Sequence, residues 1–162
     1  MTQQRQESGL ADSSKASLPD TLMQAPRCVE KMMTTNVVTM YLHSLFREVV
    51  DVLAKNPSRH LLVADMDGRL VGVISDRDVL RAADGYDWET TFAANVMTVD
   101  PITVTADTPL STATTLVLDN RVNCLPVVDE LKRVRGILTT TDLIQAFQKI
   151  QMSLEQLPTA SS

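Results

Sequence analysis

Cysteine and histidine are scarce in this sequence, which narrows the chemistry that the chain can perform. Among 162 residues there are two cysteines, Cys28 and Cys124, and two histidines, His43 and His60. No CxxC pair and no cysteine–histidine cluster occurs, which argues against a structural zinc site. Neither histidine belongs to a Ser/His/Asp or Cys/His pattern of the kind used in nucleophilic catalysis. We therefore expect no metal ligands, no catalytic residues and a protein that is not an enzyme.

Long apolar runs and an excess of basic residues are also missing. No apolar run is long enough to span a bilayer, and the first residues lack the apolar core of a signal peptide. The 15 Lys and Arg residues are outnumbered by 20 Asp and Glu residues, which argues against a broad nucleic-acid-binding surface. The isolated cysteines are most simply reduced thiols. These absences predict a cytoplasmic protein that binds neither membrane nor nucleic acid.

An internal repeat is the most informative feature that is present. Sliding the sequence by 64 residues, which brings Met33 onto Met97, aligns the chain with itself without a gap. Other identical pairs are Asn56 with Asn120, Asp65 with Asp129, Gly72 with Gly136, and Asp78 with Asp142. These matches fall at turns and at the ends of predicted elements, whereas chance matches would scatter. The chain therefore contains two copies of one unit.

Each copy begins with a strand and a helix. A short β-branched run lies at 37–39 and again at 102–105, and a stretch with helical apolar periodicity follows each run. The helix in each copy also has polar residues suited to its start, because their side chains can accept from free backbone N–H groups. The candidate N-caps are Ser44 in the first copy and, just before Pro109 in the second, Asp107 or Thr108.

Each copy continues with a hairpin and a second helix. In the first copy the apolar segments 60–64 and 70–75 are joined by DMDG, a sequence typical of a hairpin turn. A helix then begins at Asp76, and its counterpart begins at Thr140. The order of elements in each copy is therefore β-α-β-β-α.

The size of one copy predicts how the two copies are arranged. A unit of about 55 residues is marginally stable by itself, because it buries too little apolar surface. We therefore predict an α+β fold in which two pseudo-symmetric β-α-β-β-α repeats pack sheet to sheet as one module. The predicted divisions are a flexible N-terminal tail at 1–25, a first repeat at 26–83, a linker at 84–93, a second repeat at 94–150, and a C-terminal helix extension and tail at 151–162.

The C-terminal helix carries an apolar stripe that allows two interpretations. Leu143, Phe147, Ile150, Leu154 and Leu157 follow one another at spacings of four and three residues. The stripe either packs against the chain's own module or forms a seam for a second chain. The sequence leaves both interpretations open.

A Ser/Thr-x-x-Asp string occurs in both copies, where the last strand passes into the second helix. Ser75 with Asp78 and Thr139 with Asp142 each match a capping box, in which the side chains bond the free N–H groups of the helix start. A helix N-terminus also favours phosphate, and a carboxylate placed there can accept hydrogen bonds from a ribose diol. The recurrence of the string at equivalent places favours a ligand-binding role beside the capping role.

These features together resemble a known family. The β-α-β-β-α repeat, the strand LPVVD at 125–129, the two Ser/Thr-x-x-Asp strings and the MT dipeptides are similar to a tandem pair of CBS (cystathionine β-synthase) domains, the Bateman module. The resemblance covers about residues 26–150. It implies regulatory binding of an adenine nucleotide such as AMP, ADP or ATP, or of S-adenosylmethionine, in the clefts between the repeats.

The resemblance also implies which residues bind the ligand, since each family cleft combines residues of both repeats. One cleft is expected to use Ser75, Arg77, Asp78, Thr98, Ile102, Thr103, Val122 and Asn123. The other is expected to use Thr139, Thr141, Asp142, Thr34, Val38, Thr39, Ser58 and Arg59. The aspartates would bind the ribose, Val38, Ile102 and Val122 would flank the base, and Arg59, Arg77 and the hydroxyl residues would face the phosphates.

The resemblance further implies a homodimer that associates through its helices and signals to a regulated partner protein. The residues expected at such an interface are Val79, Leu80, Leu143, Ile144 and Phe147, although each can equally serve the chain's own core. Departures from the family pattern include Leu62, where the second repeat has Pro126, and a second string without a basic residue. An interaction module that binds no nucleotide is the alternative function.

Overall fold

A computed structural model describes residue 23 and residues 25–155 of the chain. Most of the predicted N-terminal tail and the end of the predicted C-terminal tail lie outside these residues. A short 3-10 helix at Val29–Lys31 precedes the elements of the first repeat. They are β1 (Thr39–Tyr41), α1 (Phe46–Lys55), β2 (His60–Ala64), β3 (Leu70–Ser75) and α2 (Asp76–Ala82). Those of the second are α3 (Ala93–Val96), β4 (Thr98–Val99), α4 (Leu110–Asn120), β5 (Cys124–Val128), β6 (Val134–Thr139) and α5 (Thr140–Glu155).

The strands of the first repeat form one sheet that borrows a strand from the second. Its order is β1-β2-β3-β4, with β1 parallel to β2 and the other pairs antiparallel. The hairpin β2–β3 and the start of α2 fall where the sequence predicts them. In the second repeat β5 and β6 form the equivalent hairpin, and single bridges join Val104 to Val127 and Thr34 to Ile137.

The leading segment of each repeat packs against the other repeat. Val29, in the leading segment of the first repeat, is fully buried in one cluster with Val104 and Leu125 of the second. Ala93, at the equivalent position in the second repeat, is fully buried in one cluster with Phe46 and Leu61 of the first. The repeats therefore hold each other by exchanged segments, which ties their folding together.

A third cluster lies between the two sheets. Leu62 from β2 packs with Cys124 and Ile137 from the second repeat, and all three are buried. The hairpins also meet edge to edge, where the N–H of Leu70 donates to the carbonyl of Lys132 at 2.9 Å. The predicted α+β fold of two β-α-β-β-α repeats packed sheet to sheet is confirmed.

Both first strands are displaced from their predicted positions. The first is Thr39–Tyr41 and not 37–39, because Thr39 to Tyr41 pair with Leu62 to Ala64 of β2. In the second repeat, 102–105 contributes the isolated bridge of Val104 in place of a full strand.

The predicted N-caps of the first helix in each repeat are wrong, because they lie one or two residues before the observed N-caps. Leu45 is the N-cap of α1, and its N–H donates to the Glu48 carboxylate at 3.0 Å. Ser44 is engaged in the preceding turn, with its N–H donating to Tyr41. Pro109 is the N-cap of α4, and the Thr108 hydroxyl accepts from the N–H of Thr105 at 3.1 Å instead. The Thr108 hydroxyl therefore serves a local turn and not the helix start to which the sequence pattern assigns it.

The C-terminal helix α5 leaves much of its apolar stripe exposed. Phe147 is 59% exposed and Leu154 is 39% exposed, while Ala146, which is not part of the stripe, is buried. Leu157, the last residue of the predicted stripe, lies outside the described residues. The described part of the stripe therefore does not pack as a whole against the chain's own module. Among the described residues no helix combines the length and the apolar character needed to cross a membrane.

Candidate ligand-binding clefts

The first candidate site begins at the N-terminus of α2, where Ser75 and Asp78 form a capping box. One carboxylate oxygen of Asp78, Oδ2, accepts from the Ser75 N–H at 2.8 Å and from its hydroxyl at 2.6 Å. The Asp78 N–H donates back to the Ser75 hydroxyl at 3.3 Å. The predicted cap is confirmed, and it fixes the direction of both side chains at the helix start.

The N-terminus of α5 repeats this geometry. The Oδ2 atom of Asp142 accepts from the N–H and from the hydroxyl of Thr139, both at 2.7 Å. The N–H of Asp142 donates to the Thr139 hydroxyl at 3.3 Å. In both strings one carboxylate oxygen is used for capping, so the other oxygen, Oδ1, is the one that can serve a ligand.

A cleft of about 710 Å³ lies beside the first string. Its volume falls within the roughly 300–1,000 Å³ of typical small-molecule sites. Seven of the eight residues predicted for this cleft line it, namely Ser75, Arg77, Asp78, Thr98, Ile102, Val122 and Asn123. Thr103 does not. The cleft therefore joins the helix start of the first repeat to the leading strand and pre-hairpin loop of the second.

The first cleft is rich in charged side chains. Arg59, Arg77, Arg81 and Arg121 line it together with three aspartates. Arg59 pairs with Asp76 at 3.2 Å, and Arg81 donates to Oδ1 of Asp78 at 3.3 Å. Neither Arg77 nor Arg121 forms an ion pair with a residue that the structure describes. Guanidinium groups without carboxylate partners are suited to phosphate oxygens.

Unusual backbone conformations concentrate at the same cleft. Arg59, Asp100 and Arg121 have φ values of 53°, 47° and 54°, in the left-handed region. All three line the first cleft, whereas the fourth such non-glycine residue of the described part, Lys132, lies in a hairpin turn. Left-handed non-glycine residues cost about 1–3 kcal/mol each and collect at ligand-binding sites. Their grouping here favours a functional cleft over an accidental gap.

A second cleft of about 610 Å³ lies beside the second string. Six of its predicted residues line it, namely Thr34, Val38, Ser58, Thr139, Thr141 and Asp142. Thr39 lines neither cleft, and Arg59 lines the first cleft instead of the second. The lining is otherwise mostly apolar, and its one cationic side chain among the described residues is Lys55. As ligand contacts, these residues remain predictions.

The loop between α1 and β2 is held rigid at the rim of both clefts. The amide of Asn56 donates to the carbonyl of His60 at 2.8 Å, and its oxygen accepts from the Ser58 N–H at 3.2 Å. The Ser58 hydroxyl is also within 3.1 Å of that oxygen. The Ser58 hydroxyl therefore forms its hydrogen bonds within the loop. Ser58 lines the cleft, but its hydroxyl is not free to donate to a ligand.

The predicted site residues omit Asp76 and Arg121, which line the first cleft, and three further charged side chains. Arg81 follows Asp78 by three residues, so helical spacing alone places both on one face of α2. Lys55 ends α1, and Asp100 follows β4 at a position with no pattern of its own. The first of these was available from the sequence, and the other two depend on how the repeats meet.

Cys124 lies where the first cleft meets the core between the sheets. It is buried, and both cysteines are free thiols, as expected of isolated cysteines. Burial raises the pKa of the Cys124 thiol to about 12, and the negative charge of Asp78 adds to the increase. The thiol is therefore neutral at physiological pH and acts as a small apolar residue. Among the described residues no group of three or more His, Cys, Asp or Glu is placed to hold a metal ion.

A family comparison agrees with this architecture. The family model described as CBS domain matches residues 29–85 and 93–149, one match for each repeat. The chain belongs to the CBS domain family. Because the two matches are adjacent, the chain contains a CBS domain pair, as its sequence resemblance implied.

Similar proteins of known name include two enzymes. The homoserine O-acetyltransferase of Methanocorpusculum labreanum is 31% identical over 118 residues, and the inosine-5′-monophosphate dehydrogenase of Methanocaldococcus jannaschii is 30% identical over 123 residues. The matches cover 73% and 76% of this chain but 24% of each enzyme. The chain therefore spans about a quarter of the length of these relatives.

Solved structures of CBS domain pairs share the fold. The CBS domain pair of protein MJ0100, in complex with 5′-methylthioadenosine and S-adenosyl-L-methionine, has a TM-score of 0.70 at 27% identity, covering 76% of this chain and 98% of that one. CBSX2 in complex with AMP has a TM-score of 0.69 at 27% identity, covering 78% and 99%. The cytosolic domain of the Mg²⁺ channel MgtE with ATP has a TM-score of 0.64 at 28% identity, covering 78% and 51%.

Proposed function

We propose that this CBS domain pair is a regulatory module, without catalytic activity, that binds adenine nucleotides such as AMP, ADP or ATP in the two clefts between its repeats. The observation that carries the proposal is the pair of equivalent carboxylates, Asp78 and Asp142, each at a helix start beside a cleft of nucleotide size. Structural relatives in complex with AMP, with ATP and with S-adenosyl-L-methionine support the class of ligand.

Each part of a nucleotide has a matching feature in the clefts. The Oδ1 atoms of Asp78 and Asp142 face the ribose hydroxyls, following the logic by which a carboxylate reads a ribose elsewhere. Val38 in one cleft and Ile102 with Val122 in the other provide apolar contact for the base. The helix N-termini favour the phosphates through their free N–H groups and positive dipole ends.

The output is proposed to pass through a homodimer or to a regulated partner protein in the cytoplasm. A ligand can shift such an assembly only if it binds one arrangement of the repeats more tightly than another. Ligand between the repeats contacts both of them, so it is positioned to change their relative arrangement. The MgtE relative, a cytosolic domain, is in keeping with the cytoplasmic assignment.

The first prediction tests the two carboxylates together. We expect Asp78→Ala combined with Asp142→Ala to abolish binding of AMP and ATP measured by titration calorimetry, because both ribose acceptors are lost. The matched control combines Asp65→Ala with Asp129→Ala, which removes two repeat-equivalent carboxylates from the hairpin turns, away from both clefts. Wild-type binding by the cleft variant would contradict the proposal.

A non-nucleotide interaction module is the second candidate function. It is favoured by the capping geometry, since Asp78 and Asp142 each already spend one oxygen on their helix. It is favoured too by the exposed apolar side chains of α2 and α5, such as Leu80 and Phe147. Absence of heat with AMP, ATP and S-adenosylmethionine would support this function, whereas heat with S-adenosylmethionine alone would make the protein a sensor of that compound.

A further inference from the structure

We propose that the two clefts select different adenosine compounds. The first cleft prefers a nucleotide with an anionic phosphate chain, and the second prefers an adenosine whose 5′ group is uncharged, such as a thioether. This division rests on the proposed function, because it names the ligand class of each of the same two clefts. It follows from the differences between their linings and not from what they share.

The shared features cannot discriminate between ligands. Both clefts have a helix start with a capped aspartate, and both include hydroxyl groups near it, from Ser75 in one and Thr139 in the other. Both helix starts therefore offer N–H groups and a positive dipole end to phosphate, and this shared feature does not by itself separate the clefts. Selectivity has to come from the remaining side chains.

Cationic side chains differ most between the clefts. Four guanidinium groups line the first cleft, and its three carboxylates include Asp78, which is reserved for the ribose. The second cleft has a single lysine, Lys55, which is exposed, and a single carboxylate, Asp142. Phosphate that loses water needs charged hydrogen-bond partners, and planar guanidinium groups supply them in pairs. The first cleft can meet that need through Arg77 and Arg121, which have no carboxylate partner among the described residues, whereas Arg59 and Arg81 are already paired.

An ion pair in the first cleft also works against uncharged nucleosides. Arg81 donates to Oδ1 of Asp78 at 3.3 Å, the oxygen that a ribose would use. A ribose hydroxyl that donates to this oxygen competes with Arg81 for it, and the exposed guanidinium is then available to a new anionic partner. A phosphate chain supplies that partner and a thioether does not. No described residue donates to Oδ1 of Asp142, so the second cleft has no such competition.

The walls of the second cleft suit an apolar 5′ group. Val37, Val52, Leu62 and Ile137 line it together with Val38 and Pro57. Leu62 and Ile137 are buried in the core between the sheets, so this part of the wall is fixed. A methylthio group gains favourable contact with such a wall, whereas a phosphate would lose hydration against it.

Two single variants separate the clefts in an experiment. Asp142→Ala leaves the first cleft intact, and Asp78→Ala leaves the second. Titration calorimetry of each variant uses ATP and 5′-methylthioadenosine as probes. We expect ATP to bind Asp142→Ala at least about tenfold more tightly than 5′-methylthioadenosine, the effect of one charged hydrogen bond. We expect the opposite order for Asp78→Ala.

The outcomes distinguish this inference from the proposed function. If both variants bind both probes with the same ratio of affinities, the division of ligands is wrong and the nucleotide function stands. If neither the wild type nor a variant binds either probe, the proposed function fails and the inference fails with it. Salt gives a second reading, because ATP binding to Asp142→Ala should weaken with ionic strength more than 5′-methylthioadenosine binding to Asp78→Ala.

A variant of Arg81 tests the ion pair directly. In the Asp142→Ala protein we expect Arg81→Gln to strengthen 5′-methylthioadenosine binding about threefold, as befits an exposed pair, and to weaken ATP binding. The control is Arg135→Gln, which makes the same change of charge on β6 away from both clefts. Changes of the two affinities in the same direction would overturn the selective role of Arg81.

Discussion

At the scale of single residues, Cys124 connects the packing between the repeats to the first cleft. Its thiol belongs to the cluster between the sheets, and its environment includes the charge of Asp78 from the other repeat. Burial in this cluster opposes formation of a thiolate, and the neighbouring carboxylate opposes it further. The pKa of the Cys124 thiol therefore depends on how closely the two repeats pack, and its titration tests that packing.

The second prediction concerns the pH dependence that follows from Cys124. Its pKa rises from 9.0 to about 12 on folding, so the unfolded chain loses this proton first and the stabilisation disappears as the pH rises above 9. Between pH 7 and pH 10 we expect the wild type to lose about 1 kcal/mol more unfolding free energy than Cys124→Ala. Urea unfolding at both pH values measures the difference. Parallel losses in the two proteins would show that the thiol is not buried as described.

The structural roles of single residues were predictable from the sequence where a local rule governs them. The capping boxes of Ser75 and Thr139 follow from spacing alone, and the burial of Cys124 follows from its apolar neighbours. The position of Arg59 did not follow, because a left-handed residue turns the chain in a way that repeat alignment does not reveal. Its guanidinium reaches Asp76 in the first cleft, whereas the family resemblance assigns Arg59 to the second cleft.

At the scale of elements, the repeated glycines explain how the leading segments cross the sheets. Gly136 lies in β6 where the segment containing Met33 and Thr34 passes over it. A Cβ atom there would lie 2.8 Å from the carbonyl oxygen of Thr34. That oxygen already accepts from the N–H of Ile137 at 3.0 Å, so the backbone cannot move away without losing the bridge. The MT dipeptide at 33–34 therefore requires a glycine at the point where it crosses β6.

The third prediction follows from this close approach. We expect Gly136→Ala to lower the unfolding free energy by about 2 kcal/mol, the usual cost of overpacking against atoms that cannot move. Chemical denaturation followed by circular dichroism measures the loss. Gly85→Ala is the matched control, because a Cβ at that position meets no atom within 4 Å and should leave stability nearly unchanged. Equal stability of the two variants would mean that the segment is not held against β6.

The sequence predicts the elements of each repeat better than the exchange between repeats. The hairpin strands His60–Ala64 and Leu70–Ser75 and the helix starts at Asp76 and Thr140 follow from apolar runs and turn residues. The placement of Val29 in the core of the second repeat depends on contacts far apart in sequence. No local periodicity encodes such a contact. The repeated glycines and MT dipeptides mark in the sequence where the leading segments cross the sheets.

At the scale of the whole molecule, apolar side chains remain exposed on the second helix of each repeat. Leu80 on α2 is 73% exposed, and Ile144 and Phe147 on α5 are 66% and 59% exposed. They occupy repeat-equivalent helices and belong to the set that the family resemblance assigns to a dimer interface. Large apolar side chains exposed at equivalent places on two helices are candidates for an interaction surface. In the proposed homodimer, a second copy of the chain covers these exposed apolar side chains.

The fourth prediction tests this surface. We expect the wild type to elute with twice the chain mass in size-exclusion chromatography with light scattering, and Leu80→Asp combined with Phe147→Asp to elute as a monomer. Each new carboxylate would have to be buried without a partner in the interface, which costs several kcal/mol. The control combines Met66→Asp with Leu131→Asp, which alters exposed apolar residues of the two hairpin turns. The control should remain dimeric, and a dimeric Leu80 and Phe147 variant would exclude these helices from the interface. The monomeric variant should still bind nucleotide, because neither Leu80 nor Phe147 lines a cleft.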